Sequence, residues 1–123
     1  MPVRGVRGAT VAAENRPEAI LSATRELFEA LLAANPMMHA GDIASVFFTV
    51  TDDLDAAYPA AAVRQAGWSA VPLMCAREIP VPGSLPLCIR VLLHWNVELP
   101  QSEIRHIYLG AASSLRPDLP GRL

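Results

Sequence analysis

Residues 87–97 read Leu-Cys-Ile-Arg-Val-Leu-Leu-His-Trp-Asn-Val. This run is rich in aliphatic and aromatic side chains and is read as a long strand at the centre of a sheet. Its arginine does not fit a plain core. A charged group inside such a strand costs several kcal/mol unless it is paired, and arginine does not escape by losing its proton. Arg90 therefore meets a buried acid, sits at an exposed edge or faces the anion of a ligand.

The rest of the fold is read outward from that strand. Pro80, Pro82, Gly83 and Pro86 make a rigid loop before it. Residues 71–79 read as a shorter strand, and residues 44–50, Ala-Ser-Val-Phe-Phe-Thr-Val, as a buried one. Residues 3–12 form a first strand, with glycines where another backbone or a ligand approaches. After a break at Pro100-Gln101, residues 104–109 form the last strand. One helix starts at Pro17-Glu18 and runs to about Ala34, burying Ile20, Leu27, Phe28 and Leu31. Asn35-Pro36 stops it. Asp52-Asp53-Leu54-Asp55 turns the chain, and a shorter helix covers residues 59–66 up to Gly67. The tail after Arg116 carries Pro and Gly and is expected to be loose. About five strands and two helices without an internal repeat imply one α+β domain over residues 1–123, a mixed sheet with helices on one face. The other face is also expected to be apolar, and copies of the same chain would cover it.

Composition narrows the functional classes. Hydrophobic residues make up 52% of the 123 and charged residues 18%, which excludes a disordered chain. The net charge of −2 and the lack of a basic stripe argue against nucleic acid. No apolar run approaches the length of a membrane span, and the opening Met-Pro-Val-Arg-Gly lacks the apolar stretch of a signal peptide. Cys75 and Cys88 have no CxxC spacing and are expected to be reduced thiols in the cytoplasm. His39, His94 and His106 are scattered, so no metal site is expected.

Several other residues stand out. Arg7, between Val6 and Gly8, would form with Arg90 a clamp for carboxylates on two strands, because a guanidinium matches a carboxylate bidentately. Arg4, Arg64, Arg105 and Arg116 are further cations, or merely solvated surface. Glu78 is a partner for the substrate or an ion pair for Arg77 or Arg90. Strict alternation points Cys75 and Glu78 to opposite faces, so serving one site requires a bulge near Ala76. Tyr108 is expected to share a face with His106 and Ile104, as a ligand contact or an amphipathic core residue. No nucleophile–base pair appears, and the Gly-rich opening lacks phosphate-loop spacing. Such a set suits a small polycarboxylate, with chemistry supplied by positioning and electrostatics.

The segments R-G-V-R-G-A-T, T-D-D-L-D-A-A-Y-P-A-A-A-V-R, V-P-L-M-C-A-R-E, C-I-R-V-L-L and I-R-H-I-Y-L-G-A…L-R-P-D-L, in this order, resemble the AroH-type chorismate mutases over nearly the whole chain. The resemblance implies a homotrimer resembling an α/β barrel, with active sites at subunit interfaces. It implies the cofactor-free rearrangement of chorismate to prephenate, on the route to phenylalanine and tyrosine. By position it implies that Arg90 serves the ether oxygen and a carboxylate, and that Arg7 and Tyr108 hold the enolpyruvyl carboxylate. Glu78 and Cys75, by thiol or nearby backbone, would meet the ring hydroxyl. Tyr58, Ala60 and Arg64 would come from the neighbouring subunit. Leu73 and Met74 would line the pocket, and Leu115 and Arg116 would belong to a closing tail. Ala61 stands where some members carry Lys, and Met74 where a smaller polar residue occurs. Two other readings stay open on residues alone: a Rid-type imine deaminase on a similar trimeric scaffold, and a trimeric module that binds a carboxylate metabolite without turnover.

Overall fold

The computed structural model describes residues 1–115. In chain order they form β1 (Val3–Val11), α1 (Pro17–Ala34), β2 (Ile43–Val50), α2 (Ala60–Gln65), β3 (Leu73–Arg77), β4 (Cys88–Asn96) and β5 (Ile107–Tyr108). Short 3-10 turns cover Ala40–Asp42, Gln101–Glu103 and Gly110–Leu115. The strands make one sheet in the order β3-β2-β4-β1-β5, with β4 at its centre as expected. β4 runs antiparallel to both β1 and β2, while β2–β3 and β1–β5 are parallel. The sheet is mixed, and the architecture is the α+β one read from the sequence.

Both helices lie on one face. α1 begins at Pro17, whose missing N–H costs nothing at a helix start. Glu18 in the first turn has its carboxyl held below the usual range, by a backbone hydrogen bond and by Arg16. The stripe Ile20, Leu27, Phe28 and Leu31 is buried, together with Thr24, whose hydroxyl donates to the Ile20 carbonyl at 2.7 Å. Against it pack Val46 and Phe48 of β2 and Val91 and Leu93 of β4. From α2 and the turn after it, Val63 and Trp68 complete this layer, with Trp68 edge-on to Phe28 at a ring separation of 4.7 Å. At Gly8, α1 packs tightly on β1. A Cβ there would lie 3.1 Å from the Leu27 side chain, 3.2 Å from Leu31 and 3.2 Å from the Ile107 carbonyl.

Three strands differ from expectation for a physical reason that the structure shows. The strand expected at 104–109 shrinks to Ile107–Tyr108. The turn at Gln101–Glu103 delays it, and the Arg105 backbone pairs with the buried Asn35 side chain: its N–H donates to Asn35 Oδ1 at 3.0 Å, and its carbonyl accepts from Nδ2 at 2.9 Å. Ile104 consequently joins the main core while Tyr108 joins a separate cluster with Ala9 and Ala112, so the two do not share a face. The strand expected at 71–79 is confined to Leu73–Arg77, between Pro72 and Pro80. The central strand starts at Cys88 because Leu87 takes a left-handed backbone, φ 54°. Such a conformation costs about 1–3 kcal/mol in a side-chain-bearing residue. It is held by its N–H donating to Asp53 Oδ2 at 2.9 Å and its carbonyl accepting from the Ala12 N–H at 2.8 Å.

Candidate active site

The site lies on the sheet face away from the helices, and strand register assembles it. Pairing places Ala76, Thr49, Arg90, Ala9 and Tyr108 in one row across the five strands. The next row is Met74, Phe47, Leu92 and Arg7. Arg7 is thus the diagonal neighbour of Arg90, a separation of about 7–8 Å between such positions. Ala9 between Arg90 and Tyr108 is small, which leaves a depression. The turn Gly110–Leu115 folds back beside β1, and Leu115 and Leu85 pack on Ala9, Tyr108 and Ala112. The result is a hollow of about 330 Å³ lined by Arg7, Phe47, Thr49, Arg90, Leu92, Tyr108 and Leu115. That volume falls at the small end of ligand sites, about 300–1,000 Å³.

Arg90 divides this hollow from a second one of about 210 Å³ that includes Glu78, Ser84, Leu85 and Cys88. Of the alternatives open for Arg90, a buried ion pair is not what the single chain shows: its side chain is 49% exposed, because even-numbered residues of β4 face away from the helices. Its Nε lies 3.7 Å from Glu78 Oε2. Glu78 in turn accepts a hydrogen bond from the Thr49 hydroxyl at 2.6 Å on that same oxygen. Its backbone N–H donates to the Val50 carbonyl at 2.8 Å. Burial pushes the Cys88 thiol up from its ordinary value, with the Arg90 guanidinium opposing, so Cys88 is a neutral thiol at physiological pH. Arg7 is held from behind, its backbone N–H donating to His106 Nδ1 at 3.0 Å.

Of the residues singled out in the sequence, Arg7, Arg90, Tyr108 and Leu115 meet around the larger hollow, and Glu78 stands beside Arg90. Met74 is 60% exposed on the same face, two strands from Arg90. Cys75 does not join them by its side chain. β3 pairs with β2 in unbroken register from Leu73 to Arg77, so the expected bulge near Ala76 is absent and alternation persists. Leu73 and Cys75 pack toward the main core instead. Ala60 is buried in that core, while Arg64 is exposed and Tyr58 is 72% exposed; none of the three lines the hollow. Arg116 and the tail beyond it lie outside the described residues. Thr49, Phe47, Leu92 and Ala9 were missed. Alternation from Arg90 identifies Leu92, but the other three become neighbours only through cross-strand register.

Among the described residues no group of three or more His, Cys, Asp or Glu is placed to hold a metal ion, and no helix is long and apolar enough to cross a membrane. What the arrangement offers is two guanidiniums, a phenol and a carboxylate around an apolar wall.

Comparison with known proteins identifies the family. The family model described as chorismate mutase type I matches residues 3–119. The chorismate mutase AroH of Thermus thermophilus is 56% identical over 117 residues, 95% of this chain and 96% of that protein. The chorismate mutase AroH of Bacillus subtilis (strain 168) is 41% identical over 120 residues, 97% of this chain and 94% of the relative. A solved structure of a chorismate mutase from Clostridium thermocellum superposes with a TM-score of 0.86 at 44% identity, covering 89% of this chain and 97% of that one.

Proposed function

Because the chain belongs to the chorismate mutase type I family, we propose that it rearranges chorismate to prephenate in the hollow between Arg7 and Arg90. As a chorismate mutase it is an isomerase of aromatic amino-acid biosynthesis. One observation carries the placement of the site: Arg7, Arg90 and Tyr108, from three different strands, surround a single hollow on the open sheet face.

The chemistry is a Claisen rearrangement within one molecule. The ether C–O bond breaks as a new C–C bond forms, with no proton transferred and no bond to the enzyme. A catalytic base is not required. The protein contributes in two ways. Arg7 and Tyr108 grip the enolpyruvyl carboxylate and Arg90 engages a substrate carboxylate, which holds the substrate in the compact reactive conformer. Phe47 and Leu92 supply an apolar wall that limits the volume open to extended conformers. Arg90 also faces the ether oxygen as it gains negative charge. A preorganised donor of this kind contributes about 3–4 kcal/mol, or roughly 10²–10³-fold in rate. Glu78 accepts from the ring hydroxyl. Cys75 contributes through its backbone rather than its thiol, consistent with its side chain packing toward the core.

We further propose that the working form is a homotrimer. Phe47, Met74 and Leu92 leave an apolar stretch exposed on the face that carries the site, and self-association covers such surfaces. Tyr58 and Arg64 lie outside the hollow of their own chain and would complete the site of a neighbouring subunit. The two free cysteines fit a reducing compartment, so the cytoplasm is the expected location.

The test is the loss of chorismate ultraviolet absorbance with wild type and Arg90→Ala side by side. Rapid loss with prephenate as product, reduced to near background in the variant, is expected. No loss with a folded, assembled wild type would overturn the assignment of activity.

A further inference from the structure

We propose that Thr49 is a positioning residue of this site: its hydroxyl holds the Glu78 carboxylate and so keeps the Arg90 guanidinium free for the substrate. The inference rests on the proposed role of Arg90 and concerns a residue that has no role in the function described above.

The geometry is a competition for one oxygen. Glu78 Oε2 accepts the Thr49 hydroxyl at 2.6 Å, while Arg90 Nε stands 3.7 Å from the same atom. The first distance is a short hydrogen bond. The second lies within ion-pair reach but beyond hydrogen bonding, which ends near ~3.2 Å for N–H donors. A carboxylate and a guanidinium left to themselves close into a bidentate fork. Here they do not, although both are partly solvated and adjacent. Thr49 sits directly opposite Arg90 in the β2–β4 pairing, so its Oγ1 reaches across the same face. Threonine is stiff about its first side-chain torsion, and a strand restricts it further, which fixes the direction of the hydroxyl. The other anchor on Glu78 is its backbone N–H, bonded to the carbonyl of Val50, the residue after Thr49. Main chain and side chain of β2 together therefore set where the acid stands. Arg90 lines both hollows, and Thr49 lines only the larger one, where Arg7 and Tyr108 also point. With the hydroxyl removed, Arg90 becomes the strongest donor left to Glu78, and the guanidinium closes on that carboxylate and turns away from the ether oxygen.

The experiment compares Thr49→Val, which keeps shape and removes the donor, with Thr49→Ser, which keeps the donor. Each is made alone and in a Glu78→Ala background, in the assembled protein. Thr49→Val is expected to lower kcat by about ten- to a hundredfold, the range for a hydrogen bond to a charged group, with a smaller change in KM because Arg7 still grips a carboxylate. Thr49→Ser restores most of the loss. In the Glu78→Ala background Thr49→Val has no further effect on kcat, since the group it positions is gone. A readout independent of turnover accompanies this: the Arg90 Nε–H resonance in the unliganded protein moves downfield in Thr49→Val as the fork closes. An unchanged Arg90 resonance, or equal losses of kcat with and without Glu78, would overturn the proposal. Activity absent from wild type while the resonance shift persists would leave the positioning intact and refute the assignment of activity instead.

Discussion

At the scale of single residues the site turns on what a guanidinium does that an ammonium does not. In the proposed mechanism Arg90 addresses an ether oxygen and a carboxylate at once, and a planar fork does so with fixed geometry. Arg90→Lys keeps the charge and loses the fork. It is expected to cost about 10²–10³-fold in kcat/KM, the scale of a lost preorganised donor, with little change in stability, because the half-exposed contact to Glu78 at 3.7 Å contributes about 0–1 kcal/mol at most. Chorismate turnover and denaturant unfolding measured on the same preparation check both halves. The sequence made Arg90 conspicuous because a charge inside an apolar strand demands a partner. It left Thr49 unremarked, because a threonine in a β-branched run looks like any strand residue.

At the scale of elements, Gly8 leaves room for the α1 side chains that pack on the sheet. A methyl group there meets two leucine side chains and a carbonyl at 3.1–3.2 Å, so Gly8→Ala requires these neighbours to give by a few tenths of an ångström. Overpacking of this kind costs about 1–3 kcal/mol. The variant is expected to unfold at correspondingly lower denaturant concentration, and its kcat to fall as well, since Arg7 is the next residue and its backbone would shift. A stability equal to wild type would show that α1 yields without cost. The sequence read the glycines of β1 as places where another backbone or a ligand approaches; at Gly8 the Ile107 carbonyl does so, together with two leucine side chains of α1. It also placed α1 correctly from Pro17 to Ala34, because proline, the apolar stripe and Asn35-Pro36 are local signals. The last strand was overdrawn for the opposite reason. Its pairing was lost to a side chain seventy positions away in the chain, Asn35 against Arg105.

At the scale of the whole molecule, a sheet with helices on one face and Phe47, Met74 and Leu92 exposed on the other has an apolar stretch unpartnered. Sedimentation at micromolar concentration is expected to give the mass of three chains, and a monomer would refute the shared site. A sharper measurement mixes Arg90→Ala and Arg64→Ala subunits, each inactive alone. Random assembly of equal amounts restores about one site in four if each site takes Arg90 from one chain and Arg64 from the next. No recovery after verified subunit exchange would place the whole site in one chain.

The sequence by itself determined the elements, the helix ends and the central strand, along with the unusual arginines, the acid and the tyrosine. These follow from local periodicity, capping and the cost of a misplaced charge, all of which act between near neighbours in the chain. Only the tertiary structure decided which residues stand together. The register of β2, β4 and β1 sets Thr49 and Ala9 beside Arg90, and the unbroken pairing of β3 turns Cys75 toward the helices. Register is a property of strands far apart in sequence, fixed by how their buried faces pack under α1 and α2, and a slip of one residue would have exchanged the site for the core.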